Sequence, residues 1–86
     1  MYYVYVLKSL KDKKHYIGST SDLKIRLEKH NQGLVKSTKH RRPLELIYAE
    51  AYKTNKASRQ REFTIKKMKG GIQFKQLINT ANIARV

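Results

Sequence analysis

A chain of 86 residues has material for one hydrophobic core and no second domain. Twenty Lys and Arg against six Asp and Glu leave a formal charge of +14, which points to a polyanionic partner. Without cysteine there is no disulfide frame, no disulfide-linked partner and no thiolate metal site.

No apolar run approaches the roughly 20 residues of a membrane span. The N-terminus lacks the charged start, apolar stretch and cleavage site of a secretory signal. The expected setting is therefore cytoplasmic. The basic residues are not gathered on one helix opposite an apolar face, so no membrane contact is expected. Nucleic acid is the favoured partner, bound more weakly as salt rises.

Tyr2 to Lys8 is β-branched, aromatic and almost uncharged, which predicts a first strand. A polar loop leads to a second strand, Lys14 to Ser19. Ser19-Thr20-Ser21-Asp22 then offers several N-caps for a helix carrying Leu23, Leu27 and His30 at i, i+4 and i+7, ended by Gly33. Arg26 and His30, four apart, share one flank of it. Gly33 to Pro43 reads as a strongly basic loop (Lys36, Lys39, His40, Arg41, Arg42).

Leu44 to Tyr52 alternates, with Leu46, Tyr48, Glu50 and Tyr52 set against Ile47, Ala49 and Ala51, and predicts the third strand. Thr54 or Asn55 should cap a helix running to about Lys69, before Gly70-Gly71. Its inner stripe is read as Ala57, Thr64, Ile65 and Met68, with Glu62 at the stripe's edge and Lys56, Arg59, Lys66 and Lys67 on the outer face. A last helix carries Phe74, Leu77, Ile78 and Ala81. The expectation is one α+β domain over residues 1–82, ordered β-β-α-β-α-α, with a frayed tail over residues 83–86.

Tyr3-Val4-Tyr5 and Tyr16-Ile17-Gly18, followed by Arg26 and His30 in the first helix and Glu62 in a later one, resemble the GIY-YIG nuclease family, in particular its small stand-alone members. The resemblance covers nearly the whole chain. It implies a three-stranded antiparallel sheet flanked by helices, and cleavage of a DNA phosphodiester with one divalent ion, Mg²⁺ or Mn²⁺. It further implies that Tyr16 takes the proton from water, Tyr5 borders the same pocket, Arg26 neutralises the phosphate and Glu62 holds the metal. A single carboxylate suits Mg²⁺, which keeps most of its waters. A phenol is a poor base at neutral pH, so such a site needs positive charge around it. Some relatives place a lysine directly after the second motif, where this chain has Ser19. His30 or Lys39 is expected to compensate. Asn79 is the nearest match to an asparagine that some members carry after the last helix.

Taken singly, each residue has a plainer role: a core tyrosine, a solvated arginine, a capping histidine, a surface ion pair. Together, in this order, they favour chemistry. Lys36, Lys39, Arg41 and Arg42 of the loop, with Lys56, Arg59, Lys66 and Lys67 of the helix, read as phosphate contacts that position a duplex without reading it. The expected partner is DNA, branched or damaged forms included, with RNA as a further candidate. The alternative is a module of the same fold that binds nucleic acid and barely cleaves it.

Overall fold

The Tyr2–Ser9 strand (β1) is buried on both faces: Val4 and Val6 point one way, Tyr5 and Leu7 the other, and none is more than 1% exposed. Only a central strand covered on both sides can bury such a run. In the computed structural model, which describes residues 1–79, β1 is the middle of a three-stranded antiparallel sheet in the order β2-β1-β3. Around it lie β2 (His15–Thr20), α1 (Leu23–Asn31), β3 (Leu44–Tyr52), α2 (Asn55–Met68) and α3 (Ile72–Asn79). This is the expected α+β order; Ala81 and the predicted tail lie outside the described residues.

Val4, Val6 and Ile17 pack with Ile65 of α2 and Phe74 of α3. On the opposite face Tyr5, Leu7, Leu44 and Ala49 pack with Leu23 and Leu27 of α1. Asp22 caps α1 by accepting from the Ile25 N–H at 3.0 Å, and Thr54 caps α2 through the Ala57 N–H at 3.1 Å. Beyond α1, Gly33 turns the chain at φ 80 and lets the Leu34 N–H reach back to the Lys29 carbonyl.

Two expectations need correction. The simple alternation of β3 fails at Ile47, because Val6 faces Tyr48 while Leu7 faces Leu46. This β-bulge puts Leu46 on the α1 side and Ile47, Tyr48 and Tyr52 on the α2 side, so Leu46 does not share a face with Tyr48. On α2, Thr64 is exposed and bonds back to the Gln60 carbonyl; Ser58 and Ile65 are the buried positions of that helix. Thr64 lies one residue, about 100°, away from Ile65 around the helix and so misses the core.

The basic segment 33–43 is more structured than an open loop. Val35 and Thr38 are buried, and Lys39–Arg41 forms a 3₁₀ turn. Ser9 Oγ donates to the Arg41 carbonyl at 2.6 Å and accepts from the N–H groups of Lys11 and Asp12. The Asn31 side-chain amide bonds both the N–H and the carbonyl of Leu44, at 2.8 and 3.0 Å, pinning the end of α1 to the start of β3.

An ion pair adds to the apolar attachment of α2 to β3. Glu50 accepts two bonds from Arg61, at 2.9 and 3.1 Å, and further bonds from the Tyr48 and Tyr52 hydroxyls. Burial alone would raise the Glu50 carboxyl, but the bonds from Arg61 and the two tyrosines outweigh it and hold it below its ordinary range. Burial, then Glu50, push both phenols up to about 12. Glu50→Gln should lower the unfolding free energy at pH 7 by roughly 2 kcal/mol in urea denaturation. A carboxyl depressed in the fold stabilises above its unfolded pKa and loses that effect as pH falls through the folded value. The difference between variant and wild type should therefore shrink in acid.

Candidate active site

Pairing of β1 with β2 sets Leu7 opposite Tyr16 and Tyr5 opposite Gly18, which brings the two phenols together on the α1 face. Their ring centroids are 6.4 Å apart. Arg26, one turn into α1, donates from Nε to the Tyr5 hydroxyl at 3.3 Å. One turn later His30 Nε2 lies 2.9 Å from the same hydroxyl, and His30 Nδ1 lies 2.7 Å from Thr38 Oγ1.

The directions of these bonds follow from what each group can do. A guanidinium only donates, so the Tyr5 oxygen accepts from Arg26 and its one proton goes to His30 Nε2. The imidazole then carries its proton on Nδ1 and donates it to Thr38. His30 is completely buried, and that burial, followed by the Arg26 charge, pushes its pKa down to about 4. It is a neutral core residue that orients Tyr5. Burial also raises the Tyr5 phenol, only partly opposed by the Arg26 bond, so Tyr5 holds its proton. Its bond to Tyr5 in turn keeps Arg26 firmly charged.

Gly18 is required by this packing. A Cβ there would lie 2.5 Å from the Tyr5 oxygen and 3.2 Å from the Tyr16 ring. Gly18→Ala should displace the Tyr5 ring from His30 and cost about 1–3 kcal/mol in a thermal or urea melt.

The next residue, Ser19, points to the other face of β2 and meets α2. Its hydroxyl donates to Glu62 Oε1 at 2.7 Å, and Lys66 Nζ sits 2.7 Å from Glu62 Oε2. Burial raises the Glu62 carboxyl, but the bonds from Lys66 and Ser19 outweigh it, and the group is held ionised.

One open hollow of about 440 Å³ joins the two sides. It passes over the β2 edge where Gly18 has no side chain, with Tyr5, Tyr16 and Arg26 on one wall and Ser19, Glu62 and Lys66 on the other; Arg59 and Phe63 complete it. Of the expected site residues, Tyr5, Tyr16, Arg26 and Glu62 therefore meet, and His30 stands behind Tyr5.

Arg59 and Lys66, expected on the outer face of α2, line the hollow. Lys56 lies further along α2, and Lys36 is exposed on the loop. Lys39 and Arg42 border a separate basic depression with Lys11 and His40. Arg41 is held by Asp12 at 3.2 Å. Asn79 is exposed and away from the hollow. Neither His30 nor Lys39 supplies the expected cation, since His30 is neutral and Lys39 borders another depression; the lysine that lines the hollow is Lys66. The i, i+4 spacing of Glu62 and Lys66 was the signal for it in the sequence.

Among the described residues no three His, Asp or Glu side chains converge as a metal cluster. Glu62 is the acid of the hollow.

The GIY-YIG catalytic domain family matches residues 1–75, a span that contains both tyrosine motifs, Arg26 and Glu62. The chain belongs to the GIY-YIG family. Among its relatives is the UPF0213 protein YazA of Bacillus subtilis, 44% identical over 68 residues, covering 78% of this chain and 68% of that protein. A UPF0213 protein of Clostridium perfringens is 39% identical over 84 residues, covering 96% of this chain and 88% of the relative. The solution NMR structure of a UPF0213 protein from Bacillus halodurans is 27% identical, with a TM-score of 0.46 over 95% of this chain and 100% of that one. Membership in this nuclease family implies a nucleic-acid substrate. Among the described residues no helix is long and apolar enough to cross a membrane.

Proposed function

We propose that the chain is a metal-dependent endonuclease that hydrolyses DNA phosphodiesters, directed by substrate structure or weakly by sequence. The observation that carries this reading is the convergence of the Tyr16 phenol, the Arg26 guanidinium and the Glu62 carboxylate on one open, cation-rich hollow.

The donor set fits one hard divalent ion. Glu62 is ionised, faces the hollow and keeps a side-chain exposure of 20%, and Mg²⁺ needs only one or two protein carboxylates. Glu62 would hold the ion once Lys66 moves off Oε2. When bound, the ion would supply Lewis-acid stabilisation of charge on the phosphoryl oxygens.

The chain's own groups do the rest. The N–H groups of Arg26 not taken by Tyr5 and Tyr16 grip a non-bridging phosphate oxygen, and Lys66 and Arg59 hold the flanking backbone. Tyr16, half-buried at the wall, acts as the phenolate and takes the proton of the attacking water. The water oxygen forms the new P–O bond as the opposite ester P–O bond breaks, and the leaving oxygen takes a proton from solvent. Tyr5, tied between Arg26 and His30, keeps the guanidinium in place.

A second reading, a module that grips nucleic acid without cutting it, is favoured by one observation. Both Glu62 oxygens are already engaged, by Ser19 and Lys66. Nicking of supercoiled plasmid with Mg²⁺ or Mn²⁺, abolished by EDTA, separates the two, with branched DNA and RNA as parallel substrates. Tight, salt-sensitive binding with no metal-dependent product in any of them would leave the second reading standing.

A further inference from the structure

Phe63 is used neither by the core nor by the proposed chemistry. It follows Glu62 on α2 and is 61% exposed, although burying a phenylalanine ordinarily stabilises a fold. Its ring forms part of two depressions at once. One is the hollow of Arg26 and Glu62; the other is a shallow trough of about 610 Å³ lined by Phe63 with Asn55, Lys56, Arg59 and Gln60. Lys67 Nζ lies 4.5 Å from the ring centroid. Lys67 thus covers one face of the ring, while the other borders Lys56, Arg59 and the proposed phosphate grip, with two side-chain amides within the trough.

We propose that Phe63 is a nucleobase platform. An unpaired base next to the gripped phosphate lies on the Phe63 ring, while Asn55 and Gln60 meet its edge. A purely apolar partner would leave Lys56, Arg59, Lys66 and Lys67 unanswered, whereas a nucleotide brings a flat π surface and an anionic backbone together. Both faces of a paired base are covered by its neighbours, so the occupant is a base already unpaired. The inference rests on the nucleic-acid part of the proposed function and not on hydrolysis.

The chain contains no tryptophan, so Phe63→Trp introduces a sole indole reporter. Binding is measured in EDTA, which keeps the result independent of any cleavage. The probes are a short single-stranded oligonucleotide, a duplex with one unpaired base, and the same duplex fully paired. Phe63→Trp should keep wild-type affinity, and its emission should be quenched by the first two probes and not by the third. Phe63→Ala, at an exposed position, should melt like wild type. It should bind the unpaired probes about 10-fold more weakly and the paired duplex within about 2-fold of wild type. Equal loss on all three probes, no loss on any, or unquenched indole emission would overturn the proposal. So would emission that changes with protein concentration alone, which would place a second copy of the chain on the ring.

Discussion

Glu62→Gln and Arg26→Ala should each lower metal-dependent nicking by about 10²–10³-fold while the proteins stay folded. The two substitutions act through different terms. The amide of Glu62→Gln can still accept from Ser19, which stands 2.7 Å away, but it removes the charge that would hold the divalent ion. Arg26→Ala removes the cation facing the phosphate and the donor to Tyr5. Arg26→Lys should not rescue it, because an ammonium cannot bond Tyr5 and grip a phosphate fork at once. Single-turnover cleavage with saturating protein, beside binding measured in EDTA, separates the chemical defect from weakened affinity. Residual cleavage equal in wild type and both variants would mark the activity as extraneous.

Acid should unfold the protein earlier than its carboxylates alone would dictate. His30 is neutral in the core with a pKa near 4 against an ordinary value of 6.5. Between those values the unfolded chain binds a proton that the folded chain refuses, so stability rises with pH through this window and is fully present above 6.5. Falling from pH 7 to pH 4 should cost about 3 kcal/mol from this residue. His15, lowered by burial and by Lys8, Lys69 and Arg41, acts in the same direction. Glu50 and Glu62 contribute only lower, as pH drops below the ordinary carboxyl range. Urea denaturation of wild type and His30→Gln across pH 4–8 isolates the histidine. The variant should be less stable at neutral pH, and its curve should be flatter between pH 6.5 and 4. Parallel curves would mean that His30 is charged in the fold.

The strands and helix starts were legible because each rests on local chemistry. The boundaries of Leu44–Tyr52 follow from its apolar-polar pattern and those of α2 from the Thr54 cap. The meeting of Tyr5, Tyr16, Arg26 and Glu62 followed from motif order and could not come from periodicity, since nothing local says that α2 crosses the β2 edge. The Ile47 bulge was invisible because an isoleucine suits either face. Glu50 was hidden because Tyr48, Glu50 and Tyr52 look like a solvated face until Arg61 arrives from another element. Their i, i+2, i+4 spacing on a strand is the signal that two hydroxyls flank one carboxylate. His30 was placed near the site and expected to compensate for the missing lysine, but the depth that neutralises it is a tertiary fact.

The helix α2 grips both outer strands of the sheet through adjacent residues, Arg61 to Glu50 on β3 and Glu62 to Ser19 on β2. Neighbouring positions on a helix differ by about 100° in azimuth, so the two grips share one phase. An insertion of one residue between Thr54 and Arg61 would carry the arginine toward the azimuth now held by the glutamate. The mouth would then present a guanidinium where it now presents a carboxylate, inverting its electrostatic sign. Drift in the length of this helix is thereby barred more strictly than drift in its composition.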